Sequence, residues 1–259
     1  MSWYTAFPFI VAILLFFASL AAGEIGYRMA RAATPPSVGV PGMTQANIVA
    51  GAILGLVGLL LAFSFSFGAD RYNARRHFVV EEASDIGTVL ERAELFPGPL
   101  SQRLRAELRD YATLRLSRVD SAESSSKRAN AEQQSERESG DIWRTYAKLH
   151  AQNLRDSMSK ELGLALNKLF DEAVFERDAE SDSLPGLVLL MLISSTLVAS
   201  AATGYSACID NHRRRIYEVA FALVVAVVVY TILDLNSPYG GFIHNSDEPL
   251  RHVLSLMNS

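Results

Sequence analysis

Four long apolar stretches occur along the chain, separated by polar or charged segments. They cover about residues 5–23, 47–69, 184–205 and 216–235. At a rise of about 1.5 Å per residue, a helix of this length crosses a hydrocarbon layer of roughly 30 Å. Helices are expected because a backbone in lipid must satisfy its own hydrogen bonds. The pattern therefore predicts four transmembrane helices.

Residues 70–183, between the second and third stretches, have a helical pattern of polar and apolar positions. Leu100, Leu104 and Leu108 recur at a spacing of four, which places them on one helix face. A Pro-Gly-Pro segment at 97–99 should break the first helix of this region from the second. The prediction is an all-α membrane protein with a large helical insert between its second and third spans and a C-terminal tail over residues 236–259.

Two features of the insert predict solvated rather than packed structure. Residues 120–140 contain Ala as their one apolar type, so we expect a mobile link there. Elsewhere the carboxylates of the insert alternate with basic residues, which is typical of a solvated helix face.

Charge is concentrated in the insert. Residues 70–182 contain 18 basic and 22 acidic side chains, whereas residues 1–23, 32–69 and 183–209 contain none. This distribution excludes a soluble, a disordered or a disulfide-stabilised protein, and Cys208 is the single cysteine. Arginines near the span ends are equally numerous on the insert side and on the side of the short links, so charge leaves the orientation open.

No pattern of a catalytic site occurs in the chain. We find no phosphate-binding glycine loop, no nucleophile elbow and no HExxH pair. The five histidines lack the spacing of metal ligands within a helix. We therefore predict that the protein is not an enzyme, and that it uses no cofactor, no metal and no nucleic-acid partner.

The second apolar stretch contains two patterns of functional interest. Gly51, Gly55 and Gly58, of which the first two form a GxxxG pair, predict a close helix–helix packing seam. Gly55, Leu59, Phe63 and Phe67 are four residues apart and share a helix face. Around an axis, such a stripe would form an apolar constriction of the kind that gates ions by dewetting. A lipid-facing or packed stripe is the more ordinary alternative, and the residues alone favour it.

Charged residues follow this stripe directly, at Asp70, Arg71, Arg75 and Arg76. Charges in this position ordinarily mark the membrane boundary. In a ring of several copies, they would also attract ions to the mouth of a pore.

The run LLLAFSFSFGADRYNARR resembles the bestrophin pattern, in which an apolar, Phe-containing second helix leads into an Arg-aromatic-x-x-x-Arg-like segment, here Arg71, Tyr72 and Arg75. A second match follows the fourth span and resembles the bestrophin "N-P-F-G … acidic … L" stretch. The order of two spans, a helical insert, two spans and a tail agrees as well, and the bacterial bestrophin-like proteins are the most similar group. The tail residues of the second match are Asp234, Pro238, Tyr239, Gly240, Asp247 and Glu248.

The resemblance implies a homopentameric ion channel in the plasma (inner) membrane, with the second helix lining an axial pore. It also implies that the insert and both termini are cytosolic. Alignment on Arg71 places the apolar neck of the family at Gly55, Leu59 and Phe63, with Phe67 one turn further on. The expected partners are further copies of the chain, the lipid bilayer and permeant ions, and the family does not fix the sign of the ion.

Animal bestrophins also bind calcium through an acidic cluster in the tail. Here this region offers Asp247 and Glu248 alone, whereas calcium takes six to eight oxygen ligands, so we do not expect a calcium site. The resemblance implies instead that the tail forms a belt against a neighbouring subunit.

A second hypothesis is a membrane sensor or scaffold, in which the helical insert binds a partner protein or a ligand. A pore requires an oligomer with its second helices around the axis. A sensor requires an insert that folds and binds by itself.

Overall fold

The computed structural model describes residues 3–33, 41–120, 125–153, 155–181, 185–209, 215–237, 242–243 and 246–257. These residues form α-helices joined by short connections, and no strand occurs among them. The helices are α1 (Trp3–Ala33), α2 (Pro41–Glu94), α3 (Pro99–Asp120), α4 (Ser125–Gln152), α5 (Ser157–Ser181), α6 (Gly186–Ile209), α7 (Arg215–Asn236) and α8 (Glu248–Leu256).

Four of these helices are long and apolar enough to cross a membrane. They are Ala6–Ala33, Gln45–Glu94, Gly186–Ile209 and Arg215–Asn236. The predicted all-α fold, with four candidate spans and a helical insert between the second and third, is therefore confirmed. Helix α2 is much longer than its apolar stretch, at 54 residues, because no proline interrupts the chain between Pro41 and Pro97.

The chain divides into two compact units. The membrane unit comprises Met1–Arg71 and Ser183–Ile243, and the insert unit comprises Tyr72–Asp182 and His244–Ser259. Helix α2 is continuous across the boundary and contributes residues to both units.

The membrane unit buries apolar side chains from several helices in one core. Val57 and Leu61 of α2 share it with Leu192 of α6 and with Val225 and Val229 of α7. These residues are almost fully buried, although the opposite faces of the same helices are exposed. Each span therefore has one face that packs inside the chain.

Helices α1 and α6 approach each other closely. A methyl group added at Gly26 would overlap the carbonyl group of Ala201, and one added at Gly204 would overlap that of Gly23. Small residues let helix backbones meet in lipid, where association relies on van der Waals packing rather than on the hydrophobic effect.

The packing seam predicted at Gly51, Gly55 and Gly58 is wrong for contacts within the chain. A Cβ atom added at any of these glycines would have no neighbour within 4 Å. A GxxxG pair permits a close approach but does not specify the partner helix. In this chain the close approach uses glycines of α1 and α6 that form no GxxxG pair.

The insert unit has its own apolar core. Leu104 and Leu108 of α3 are fully buried, as the spacing of leucines predicted, and so are Ile142 of α4 and Leu166 of α5. The predicted break after α2 is also confirmed. Helix α2 ends at Glu94 and α3 begins at Pro99, with Gly98 between them at a φ of 102°.

The mobile link predicted over residues 120–140 is wrong for residues 125–140, which belong to α4. Ala131, Ser135 and Ile142 are buried at helical spacing, so this polar segment packs through small side chains. Residues 121–124 of the predicted link lie outside the described residues.

The contact between α1 and α6 leads to a stability prediction. Gly26→Ala forces a methyl group against the backbone of α6, and such overpacking lowers the free energy of unfolding by about 1–3 kcal/mol. We expect a lower melting temperature for the detergent-solubilised full-length protein.

Gly140→Ala is the matched control, because Gly140 lies inside α4 with open space around it. This change should leave the melting temperature unchanged or raise it, since Ala favours a helix over Gly. Equal melting temperatures for Gly26→Ala and the wild type would contradict the close contact.

Candidate functional site

Helix α2 has a buried face and an exposed face within the membrane unit. Val57 and Ser64 expose less than a tenth of their surface. Leu59, Phe63 and Phe67 expose 52%, 56% and 58% of theirs, although they lie on the same helix. The predicted neck residues are therefore on the face of α2 that the rest of the chain leaves uncovered.

The neck residues form a stripe about 120° wide on this face. A helix turns about 100° per residue, so Leu59 and Phe63 are about 40° apart, and Gly55 and Phe67 lie about 40° to either side of that pair. The stripe is about 18 Å long at a rise of about 1.5 Å per residue. Gly55 has open space where a side chain would be, so no side chain projects from the stripe at that level.

The four charged residues after the stripe do not share one environment. Asp70 and Arg76 are exposed, Arg71 is half-buried and Arg75 is buried. Arg71 donates a hydrogen bond from Nη1 to Oδ1 of Asn236 on α7, at 3.0 Å. Of the four, Asp70 and Arg76 are therefore the charges that the chain leaves exposed.

Asp234, one of the predicted tail residues, is buried at the end of α7. Its carboxylate accepts hydrogen bonds from the backbone N–H groups of Phe242, at 3.1 Å, and Ile243, at 3.0 Å. It therefore fixes the chain that follows α7 within the membrane unit. Pro238, Tyr239 and Gly240 lie outside the described residues.

The other two predicted tail residues, Asp247 and Glu248, belong to the insert unit. Asp247 precedes α8 and pairs with Arg251 at 2.7 Å, and Glu248 lies in the first turn of that helix. Leu250 and Val253 bury the apolar face of α8 in the core of the insert unit. Within the described residues, no three His, Cys, Asp or Glu side chains converge as a metal site.

A buried ionic cluster lies in the insert unit and joins four helices. Arg115 of α3 is 2% exposed and donates hydrogen bonds to both carboxylate oxygens of Glu82 on α2, at 2.5 and 3.1 Å. It also bonds Glu176 of α5. Arg118 pairs with Glu176 at 3.2 Å and with Glu132 of α4 at 2.7 Å. These five residues form what we call the buried ionic cluster.

The cluster shifts the pKa values of Arg115 and of the adjacent Tyr111. Burial alone would lower the pKa of the Arg115 guanidinium, but the carboxylates of Glu82 and Glu176 outweigh burial and raise it well above its ordinary value. Burial also raises the pKa of Tyr111, whose hydroxyl donates a hydrogen bond to Glu82 at 3.1 Å. The positive charge on Arg115 is therefore fixed.

Sequence patterns did not indicate this cluster, and the expectation of a solvated charged face is wrong for its members. The residues that pair with Arg115 lie 33 and 61 positions away in the chain. One signal was present, because Arg115 and Arg118 continue the register of Leu104, Leu108 and Tyr111 along α3. Charged residues in a core register indicate buried partners on neighbouring helices.

Comparison with protein families gives one assignment. The family model of the Bestrophin-like domain matches residues 29–250 of this chain, which is most of its length. Comparison with curated protein sequences gives no significant match.

Solved structures with the same fold include a bacterial bestrophin homologue from Klebsiella pneumoniae. It is 13% identical in sequence, with a TM-score of 0.66 and 95% of each chain covered. A single-substitution variant of that homologue is 14% identical, with a TM-score of 0.63 and coverage of 96% of this chain and 94% of the other. A structure described as a membrane protein variant is 12% identical, with a TM-score of 0.68 and 95% of each chain covered.

The four apolar spans and the helical insert define a multi-span α-helical membrane protein. The family match extends from α1 to α8, and the chain belongs to the Bestrophin-like family.

The buried ionic cluster leads to a second stability prediction. Arg115→Ala leaves the buried carboxylate of Glu82 without its cation and leaves Glu176 with Arg118 alone, which costs about 3–5 kcal/mol of unfolding free energy. We expect a marked loss of thermal stability for the full-length protein, followed by circular dichroism in detergent. Arg144→Ala, which removes an exposed ion pair with Asp141, is the control and should cost about 0–1 kcal/mol. Similar losses in both variants would be inconsistent with a buried cluster.

The cluster also predicts a dependence of stability on pH. Partial burial would raise the pKa of Glu132, but the guanidinium groups of Arg118, Arg177 and Arg115 outweigh it, and the net effect lowers that pKa. A lowered carboxyl pKa in the folded state stabilises the protein at neutral pH, and this stabilisation is lost as the pH falls through the folded-state pKa.

Glu132→Gln should therefore lower the melting temperature at pH 7, and the difference from the wild type should shrink on acidification below about pH 4.3, the ordinary value for Glu. Glu94→Gln is the control, because Glu94 is exposed and 3.7 Å from Arg105. A constant difference between Glu132→Gln and the wild type at all pH values would contradict the role of this ionised carboxylate.

Proposed function

We propose that the chain assembles as a homo-oligomeric ion channel, with five subunits as in the bestrophins that it resembles. Helix α2 of each subunit lines the pore, and Gly55, Leu59, Phe63 and Phe67 form an apolar neck. Membership of the Bestrophin-like family supports this assignment.

The observation that carries the proposal is the exposure of Leu59, Phe63 and Phe67 on a helix whose opposite face is buried in its own chain. A lipid-facing stripe would have the same exposure. However, the exposed face of α2 also contains Ser66 and ends in the carboxylate of Asp70, and both groups are better hydrated than lipid-covered. A water-filled pore along the axis would hydrate Ser66 and Asp70, and the apolar residues of the same face would form its neck.

The mechanism of the neck follows from its chemistry. Leu and Phe side chains cannot replace the hydration shell of an ion, so water leaves a sufficiently narrow ring of them and conduction stops. A small outward movement of α2 would rewet the ring. Gly55 has no side chain, so the constriction is formed by Leu59, Phe63 and Phe67.

The topology of the proposed channel follows from an even number of spans. The termini and the insert lie on one side of the membrane, and the family resemblance favours the cytosol for that side, with the protein in the plasma (inner) membrane. The tail is proposed to pack as a belt against a neighbouring subunit, in addition to the contacts that α8 makes within its own chain.

Phe63→Ala tests the neck in proteoliposomes that contain the purified full-length protein. Removing a ring of phenyl groups widens the constriction, so the flux of salt should rise severalfold. Phe65→Ala is the matched control, because Phe65 is also exposed but lies about 160° around the helix from Phe63. It should leave the flux unchanged.

Equal effects of the two variants would argue against α2 as the pore lining. No flux through the wild type under anion or cation gradients, with incorporation of the protein verified, would remove the channel assignment. The sensor or scaffold hypothesis would then be tested by partner capture on the full-length protein.

A further inference from the structure

Asp70 lies in line with the neck residues of α2. It follows Leu59 by eleven positions and Phe63 by seven, which places it within about 20° of both residues at about 100° of rotation per residue. It lies about 10 Å beyond Phe63 along the helix axis. Whichever surface the neck residues face, the carboxylate of Asp70 therefore faces the same surface.

The neighbouring arginines are rotated away from Asp70. Arg71, Arg75 and Arg76 are rotated from Asp70 by about 100°, 140° and 120° respectively. Arg71 is held by Asn236, and Arg75 is buried. Arg76 is exposed, but on another side of the helix. Arg71 is the cation nearest in direction to the neck, about 40° from Phe67, but its side chain is half-buried and engaged by Asn236.

The Asp70 side chain is exposed, and within the described part of the chain no hydrogen bond or ion pair engages its carboxylate. The acids closest to it along α2 are used differently. Glu81 pairs with His77 at 3.1 Å, and Glu82 belongs to the buried ionic cluster. Asp70 is thus the charge on this face that remains available to a mobile ion.

We propose that Asp70 determines the charge selectivity of the channel, and that it favours small monovalent cations over anions. This inference rests on the proposed function, because it requires α2 to line the pore. One Asp70 from each subunit would form a ring of carboxylates at the end of the neck. Low-dielectric walls focus the field of such a ring and concentrate ions of the opposite sign.

Reversal potentials in planar bilayers test this assignment directly, with the full-length protein under an asymmetric KCl gradient. The wild type should conduct potassium in preference to chloride. Asp70→Asn keeps the shape of the side chain and removes its charge, so the potassium-to-chloride permeability ratio should fall on the order of tenfold. Asp70→Glu should restore the ratio, since it restores the charge.

Glu91→Gln is the matched control, because it removes an exposed carboxylate of the same helix twenty-one positions further along, in the insert unit. It should leave the permeability ratio unchanged. The wild-type ratio should also fall between about 0.1 M and 1 M salt, because the Debye length shortens from about 10 Å to 3 Å and screens the ring.

The outcomes separate this inference from the proposed function. An anion-selective wild type, or currents whose permeability ratio is the same in Asp70→Asn, would overturn the role of Asp70 and leave the channel standing. Equal effects of Asp70→Asn and Glu91→Gln would also overturn it, since they would indicate a general surface charge. No current from the wild type or any variant would instead overturn the channel itself.

Discussion

The backbone of a helix in lipid must satisfy its own hydrogen bonds, so the apolar part of α2 is a regular helix. No proline interrupts the chain after it until Pro97, and α2 continues without a break for 54 residues. A regular helix assigns every side chain to a direction through its rotation of about 100° per residue. The same rotation exposes Leu59 and Phe63, buries Ser64 and turns Arg75 into the protein. The candidate pore lining, the packing of the membrane unit and the environments of the charged residues all follow from this one periodicity.

Patterns along the chain predicted the features that depend on neighbours in sequence. The four apolar spans, the break at residues 97–99 and the buried leucines of α3 are of this kind, because each is set by residues a few positions apart. The glycine contact between α1 and α6 is not set by neighbours in sequence, because Gly26 and Ala201 come together through the packing of two distant helices. A glycine pattern on α2 therefore predicted a seam in the wrong place within the chain.

The buried ionic cluster was missed for a related reason. Alternating charges look the same in sequence whether they face water or one another. The helical segment at residues 125–140 was predicted to be a mobile link because Ala is its one apolar residue type. In the structure this segment supplies Glu132, which pairs with Arg118 of α3. Buried charges contribute little net stability when paired, but removal of one partner is expensive. The cluster thus favours one arrangement of four helices over alternatives that would separate the charges.

The proposed neck and the proposed selectivity residue place opposite demands on one helix face. Leu59 and Phe63 must repel water so that a small change in radius closes the path, whereas Asp70 must stay hydrated to hold its charge. Phe63 is about 10 Å from Asp70 along the axis, and Phe67, about 5 Å from it, is the turn between them. Selection of ions by sign can then operate at the end of the neck while its inner turns at Leu59 and Phe63 stay dry. Gating and selectivity become properties of different turns of α2, so a substitution at one turn can change either property while the other is retained.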